Sequence, residues 1–225
     1  MKFIFDKFPK MRDNAIFVPF AIDTNNFKPM DATKVREQIC GDIDDFLVLG
    51  MARQHNGVKG SNTLLEGFAK FHKNHKNSRL VLSRWGTDLD KTDNLIKEFK
   101  IQKAITWLPF LPKQKLNLIY NAVDIACDQF KIGCWGSSFP ECMSTGTPTL
   151  MYYDKKLIIE SFRRLPPVPS VKTSEELSNA LEYYYNSPSI GSRRDKCREW
   201  IKRTHNMKDV ANRHKEILED VLRKV

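Results

Sequence analysis

Two loops of the chain carry residues that could hold an anionic ligand. The first, residues 50–60, places Arg53 and Lys59 on a frame with glycines between a predicted strand and a predicted helix. Arginine and lysine side chains are the donors that proteins commonly use for phosphate groups. Two cations in one loop indicate a phosphate site, but a solvated surface loop explains the same pattern.

The second loop, residues 133–143, leads into another predicted helix. Gly136 removes a side chain where the backbone would approach a ligand. The N–H groups of Ser137 and Ser138 would then lie at the positive helix end, which favours an anion. Glu141, about one turn further, could accept both hydroxyls of a ribose through its two oxygens. Spacing alone favours a simpler interpretation, in which Glu141 only offsets the helix dipole.

The hydrophobic pattern predicts the scaffold that positions these loops. Short apolar segments alternate with amphipathic helical ones, which indicates a parallel sheet with crossover helices. The predicted strands are residues 46–50, 79–82, 104–107, 122–126 and 148–152. In an open sheet of this kind, ligands bind beyond the carboxyl ends of the strands, and both loops follow such ends.

The rest of the sequence predicts carboxy-terminal helices and a linker at the amino-terminal end. After the proline-rich residues 165–169, Thr173 and Glu176 predict a capping box at a helix start. We expect the last helix to pack one apolar stripe on an apolar surface. The stripe consists of Val210, Ala211, His214, Ile217, Leu218 and Val221. Residues 1–14 show no periodicity, so we predict a linker remnant there and one α/β domain with a helical tail over residues 15–225.

Composition limits the function classes. A chain of 225 residues with 41% hydrophobic and 28% charged residues predicts a folded domain rather than disorder, collagen or a long coiled coil. The 37 Lys and Arg against 27 Asp and Glu give a net charge of +10, which favours an anionic partner such as a nucleotide, a lipid headgroup or a nucleic acid. Nucleic acid is the weakest of these, because no aromatic and basic interleaving, helix-turn-helix or zinc pattern accompanies the charge.

Cysteine usage and hydropathy indicate where the protein acts. The five cysteines are an odd number without a C-x-x-C pair, so we predict reduced thiols and neither a disulfide framework nor a zinc site. No apolar run approaches the roughly 20 residues of a membrane span, and the first residues do not form a signal-peptide core. We therefore expect a cytoplasmic protein, with peripheral contact to the inner membrane face as an additional expectation.

Several motifs occur together in the order and spacing of one family. They are residues 21–29 (AIDTNNFKP), Arg53 with Lys59, Asp124, and residues 141–148 (ECMSTGTP). With these motifs the chain, from about residue 16 to its end, resembles the carboxy-terminal, donor-binding half of GT-B glycosyltransferases of the family-4 kind, the glycosyl transferases of group 1. Residues 128–136 (DQFKIGCWG) resemble a sub-branch with a DQ-x3-G-x2-G stretch.

The resemblance implies a Rossmann-like parallel sheet with helices on both faces. It implies transfer of a sugar from a nucleotide-diphosphate sugar to an acceptor, with retained configuration, no metal and no cofactor beyond the donor. By the same resemblance, Arg53 and Lys59 are the catalytic cations on the diphosphate. The amides after Gly136 bind phosphate, and Glu141 binds the ribose. Fixed cations and amides would stabilise the charge that builds on the leaving diphosphate.

The chain also departs from the family pattern. Members commonly carry a second glutamate eight positions before the ribose-binding one, and here that position is Gly133. Asp128 and Gln129 are then candidates for sugar contacts, and a buried Asp that caps a turn is an equal alternative. Arg84 would either add a third cation near the nucleotide or lie exposed. The resemblance places base recognition near the loop that holds Phe110.

A GT-B enzyme binds its acceptor through an amino-terminal domain, which this sequence lacks before residue 16. We expect a fragment, a half that works with a separately encoded partner, or a degenerate binder. The first two predict an exposed apolar surface on the sheet edge and the final helix. The acceptor would be a glycan or a lipid-linked molecule. The competing hypothesis is a non-catalytic module that binds nucleotide sugars or an anionic surface.

Overall fold

The computed structural model describes residues 6–11, 15–187 and 190–223. Its centre is a sheet of five parallel strands in the order β3-β2-β1-β4-β5. The strands are β1 (Phe46–Gly50), β2 (Ser78–Ser83), β3 (Ile105–Leu108), β4 (Ile125–Cys127) and β5 (Thr149–Leu150). The predicted α/β class is confirmed. The predicted linker remnant, residues 1–14, lies partly outside the described residues.

The helices follow the strands in the expected alternation and then form the carboxy-terminal part. They are α1 (Thr33–Ile39), α2 (Asn56–Lys59), α3 (Ser61–Asn74), α4 (Leu89–Glu98), α5 (Lys113–Ala122), α6 (Ser138–Ser144), α7 (Lys155–Phe162), α8 (Ser174–Tyr185), α9 (Ile190–Thr204) and α10 (Met207–Leu222). None of the helices in the described part of the chain is long and apolar enough to cross a membrane.

Two apolar cores lie on opposite faces of the sheet. Along β1, Leu47 and Leu49 belong to one core, and Phe46 and Val48 belong to the other. This follows from the alternation of side chains along a strand. The first core includes side chains of α1, α5, α6, α7 and α9, and the second includes those of α3, α4 and α8. Helices cover both faces, so β1 is buried along its whole length and reads as one apolar run.

The fourth strand is shorter than the sequence predicts. We expected a strand over residues 122–126, but Ala122 ends α5 and β4 begins at Ile125. Asp124 gives the physical reason, because its Oδ2 accepts a hydrogen bond from the Leu47 N–H at 2.8 Å and lies 3.1 Å from the Arg36 guanidinium. The Leu47 N–H therefore donates to a side chain, although the Leu47 carbonyl still accepts from the Asp124 N–H at 3.1 Å.

The capping box at the start of α8 is confirmed. The Thr173 hydroxyl accepts from the Glu176 N–H at 3.2 Å, and a Glu176 carboxylate oxygen accepts from the Thr173 N–H at 3.2 Å. The same helix packs closely on α3, where a Cβ at Gly67 would lie 2.8 Å from Leu177. Glycine at position 67 thus permits the close approach of the two helices.

The expectation that the whole stripe of the last helix packs on an apolar surface is wrong within the described residues. Val210 is buried, whereas His214 is exposed and Leu218 and Val221 are more than half exposed. The prediction of an exposed apolar surface on the final helix is confirmed by the same residues.

Candidate functional site

A cleft of about 260 Å³ opens at the carboxyl edge of the sheet. The ends of β1, β2 and β3 contribute to it together with α5 and α6. The lining residues are Leu49, Gly50, Met51, Ser83, Trp85, Leu108, Phe110, Leu111, Lys113, Leu116, Ile119, Tyr120, Ser137, Ser138 and Glu141. Of the residues predicted for the site, Phe110, Ser137, Ser138 and Glu141 line this cleft.

Glu141 is held in the cleft by the packing of α6. Its neighbours Phe139, Cys142 and Met143 are fully buried in the first core, which fixes the helix. The side chain of Glu141 is only 4% exposed, and its Oε1 lies 2.6 Å from the Lys113 Nζ. A buried carboxylate is costly without such a partner, so this ion pair stabilises Glu141 in its position.

Lys113 was not among the residues predicted for the site. It is the first residue of α5, and its side chain is 63% exposed. A lysine in the first turn of a helix opposes the helix dipole, which favours acidic residues there. Local choices that break such a rule are expected at functional sites, so this lysine was a usable signal.

The start of α6 borders the cleft without a side-chain cap. Ser137 precedes the helix with helical dihedral angles, and its side chain makes no capping hydrogen bond. A Cβ at Gly136 would meet no heavy atom within 4 Å. Open space therefore adjoins the backbone at Gly136, and Ser137 and Ser138 line the cleft beside it.

The two predicted cations lie on the segment that follows β1, close to the cleft-lining Gly50 and Met51. Neither Arg53 nor Lys59 lines the cleft itself. Arg53 is exposed and makes no hydrogen bond or ion pair with another described residue. Lys59 ends the short helix α2, and its Nζ lies 3.5 Å from the Asp128 Oδ1.

Sheet pairing explains why Lys59 meets the loop after β4. The strands β1 and β4 are neighbours, with Gly50 opposite Cys127, so the loops that follow them emerge side by side. The Lys59 carbonyl also accepts a hydrogen bond from the Phe130 N–H at 2.9 Å. Asp128 is almost completely buried, its Oδ2 has no hydrogen-bond partner among the described residues, and burial raises the pKa of its carboxyl.

Gln129 positions the loop that follows it. Its Nε2 donates to the carbonyls of Cys134 and Tyr152 at 2.7 and 2.8 Å. Its Oε1 accepts from the N–H groups of Lys131 and Ile132 at 2.8 and 2.6 Å. These four bonds use the full capacity of the amide, which leaves no group for the sugar contact that we predicted. Gln129 is therefore corrected from a sugar ligand to a loop-positioning residue.

The structure gives a backbone reason for glycine at position 133 and shows two partners for Arg84. Gly133 has a φ of +78°, and a Cβ there would lie 3.1 Å from the Tyr152 ring, so a glutamate does not fit this backbone without rearrangement. Arg84 pairs with Asp93 at 3.1 Å and lies over the Trp107 ring at 4.8 Å. Its guanidinium does not line the cleft.

An aromatic pair and apolar side chains form the β3 side of the cleft. Phe110 is exposed and packs edge to face with Trp85, with ring centroids 5.3 Å apart. Leu108, Leu111 and Leu116 line the same region. Within the described residues, no three His, Cys, Asp or Glu side chains gather in a way that could hold a metal ion.

Comparison with known proteins identifies the family. The sequence model described as "Glycosyl transferases group 1" matches residues 37–207, which is most of the chain. The chain therefore belongs to the group 1 glycosyl transferases, as the resemblance predicted. Among curated proteins it is similar to mannosylfructose-phosphate synthase of Agrobacterium fabrum, with 24% identity over 149 residues. That match covers 62% of this chain and 33% of the relative.

Solved structures support the fold. A glycosyltransferase from Rickettsia africae matches 99% of this chain and 62% of its own length, with a TM-score of 0.79 and 15% identity. Anabaena HepE in complex with UDP-glucose matches 90% of this chain and 57% of its own length, with a TM-score of 0.76 and 16% identity. The predicted GT-B, Rossmann-like architecture is confirmed. The chain spans about a third of the curated relative and less than two thirds of these two structures.

Proposed function

We propose that this chain is the donor-binding part of a glycosyltransferase that moves a sugar from a nucleotide-diphosphate sugar to an acceptor. The observation that carries the proposal is the cleft in which the buried carboxylate of Glu141 lies beside the uncapped start of α6. A carboxylate accepts the two hydroxyls of a ribose, and free N–H groups at a helix start bind phosphate. A nucleoside diphosphate needs both kinds of group.

The proposed chemistry is stabilisation of the leaving diphosphate. As the bond between the sugar and the diphosphate breaks, negative charge grows on the phosphate oxygens. Arg53 is exposed and without a partner among the described residues, so it can approach that charge. Lys59 would keep its 3.5 Å contact with Asp128 and offer its remaining N–H donors to the phosphate. Fixed cations then stabilise the transition state, so the proposed transfer needs no metal. We also propose that the transfer retains the configuration of the sugar.

Similar proteins support a nucleotide sugar as the ligand. HepE was solved with UDP-glucose, and the name of the Agrobacterium relative describes a synthase of a sugar phosphate. For the acceptor we propose a glycan or a lipid-linked molecule, and a cytoplasmic site of action with contact to the inner membrane face.

We further propose that the exposed stripe of α10 receives an amino-terminal, acceptor-binding half. Leu218, Val221 and Leu222 are more than half exposed on this helix. Apolar side chains repeated on one helical face favour a protein contact. That half would complete the active site, because an acceptor must approach the donor from outside the cleft described above.

The proposed site predicts binding of nucleoside diphosphates. UDP, GDP, ADP and their sugars are added in excess, and thermal unfolding is followed. A ligand at about 100 times its Kd stabilises the native state by about 2.7 kcal/mol. We expect Glu141→Ala to weaken binding by about 2 kcal/mol, because it loses hydrogen bonds to a charged group. Arg53→Ala should weaken it as well and leave the fold intact.

Arg213→Ala is the control, because Arg213 lies exposed on α10 and outside the cleft. It should bind each nucleotide as the wild type does. Unchanged affinity in both Glu141→Ala and Arg53→Ala would refute the site.

The alternative is a non-catalytic module that binds nucleotide sugars or an anionic surface. Gly133 favours it, since this position requires a small residue and cannot present the second glutamate that relatives commonly carry. Saturable binding of a nucleotide sugar without transfer, even with the acceptor-binding half added, would support this alternative. Sugar transfer under the same conditions would exclude it.

A further inference from the structure

Lys113 has more hydrogen-bonding capacity than its known contact uses. An ammonium carries three N–H donors and no acceptor. The ammonium forms an ion pair with the Glu141 Oε1 at 2.6 Å, without hydrogen-bond geometry, and lies 5.8 Å from the centre of the Phe27 ring. The side chain is 63% exposed and lines the cleft, so a ligand can reach the remaining donors.

The position of Lys113 within the cleft is equally informative. Its ammonium lies beside Glu141, the proposed ribose ligand. The same cleft is lined by Leu108, Leu111 and the exposed ring of Phe110, which are apolar. A flat apolar surface with an aromatic ring suits a planar base. Lys113 lies three residues after Phe110 in the chain and begins α5, so a base that packs on Phe110 and a ribose bound by Glu141 would both come close to it.

We propose that Lys113 is a specificity-determining residue that selects bases with a carbonyl oxygen at pyrimidine C4 or purine C6, as in uracil and guanine, over bases with an amino group at that position, as in cytosine and adenine. This inference rests on the proposed function. The ammonium can only donate, so it pairs with a carbonyl oxygen of the base and opposes an amino group in the same place. Uracil and cytosine give the clearest contrast, because the two rings have nearly the same shape.

A purely structural role makes a different prediction. If Lys113 only offsets the buried charge of Glu141, its loss weakens the binding of every nucleotide by the same factor, because each one carries the same ribose. The ratio of two affinities is therefore the decisive quantity, and the absolute affinity is not.

The experiment compares UDP with CDP, and GDP with ADP, by isothermal titration of the full chain. We expect the wild type to prefer the oxo base of each pair by roughly 10- to 100-fold, the range for a hydrogen bond to a charged group. In Lys113→Met the preference should shrink to about threefold or less. Lys115→Met is the matched control, because Lys115 is exposed on the same helix and does not line the cleft.

Lys113→Gln provides a second variant, since its amide keeps N–H donors without the charge and should retain part of the preference. Equal affinity of the wild type for UDP and CDP overturns this inference and leaves the proposed function intact. So does an equal loss for all four nucleotides in both Lys113 variants. Failure of the wild type to bind any nucleotide would overturn the proposed function together with this inference.

Discussion

Two lysine–carboxylate pairs lie at the same edge of the sheet, and they differ in almost every physical property. In the cleft, Lys113 and Glu141 are 2.6 Å apart, with a 63% exposed lysine and a 4% exposed glutamate. Beside the cleft, Lys59 and Asp128 are 3.5 Å apart, with side chains only 22% and 1% exposed. The first pair joins α5 to α6, and the second joins the loops after β1 and β4.

This difference in exposure determines which of the two lysines can take a new partner. Water and ligands reach the ammonium of Lys113, so a ligand can share it with little loss of solvation. Asp128 is sealed from water, one of its oxygens has no partner among the described residues, and burial raises its pKa while Lys59 opposes that shift in part. Removing a partner from the sealed pair leaves a buried charge, which is more costly than the loss of an exposed contact.

The largest expected effect is therefore on the sealed pair. Lys59→Met should lower the free energy of unfolding by about 3 kcal/mol, because it leaves Asp128 buried without a cation. Urea denaturation measures the change. Lys131→Met is the control, since Lys131 lies in the next loop but is exposed. Equal stability of the two variants would show that Asp128 does not depend on Lys59.

The double variant Lys59→Met with Asp128→Leu sharpens this test. It removes the buried charge together with its partner, so it should recover most of the lost stability. A double variant that is less stable than Lys59→Met would assign the effect to packing around Asp128 instead of to charge.

A smaller effect concerns pH. Burial raises the pKa of Asp128 above its ordinary value near 3.8, so the folded state binds this proton more tightly than the unfolded chain does. Relative to Asp128→Asn, the wild type should therefore lose stability as pH rises from below 3.8 through the folded pKa, by at most about 1.4 kcal/mol per pH unit. Urea denaturation of both proteins at about pH 3.5 and about pH 7 measures this difference. A difference that grows in favour of the wild type with pH would reverse the sign and contradict the assignment.

The smallest effect is expected at the pair of Arg84 with Asp93, which are 49% and 31% exposed and 3.1 Å apart. A double-mutant cycle with Arg84→Met and Asp93→Leu should give a coupling of less than about 1 kcal/mol, because water screens exposed charges. Denaturation of the four proteins measures it. A coupling as large as the effect of Lys59→Met would show that the exposed pair contributes as much to stability as the buried pair does.

Much of the fold was predictable from short stretches of sequence. The apolar run at β1 and the capping box at Thr173 and Glu176 depend on neighbours in the chain, and both are confirmed. The start of β4 was not predictable, because the Asp124 side chain bonds to Leu47 on another strand. The exposure of the apolar stripe on α10 was not predictable either, because it depends on which parts of the chain pack against this helix.

For the candidate site, residue types and spacing singled out Glu141 and the serines before it, and these residues line one cleft. They are close in sequence, so one helix start positions them together. Lys113 was not predicted because its partner Glu141 lies 28 positions away in the chain. Only the packing of α5 beside α6 brings the two residues together. Gln129 changed role for the same reason, since the carbonyl of Tyr152 that it binds comes from beyond β5.

The family could be predicted from the order and spacing of motifs between residues 21 and 148. The alternation of strands and helices and the charged loops were also predictable, because each depends on residues close together in the chain. The tertiary structure alone decided which cation meets which carboxylate and how much water reaches each pair. Those properties depend on the order of strands in the sheet and on the packing of helices over it, and they set the strength of every charge at this edge.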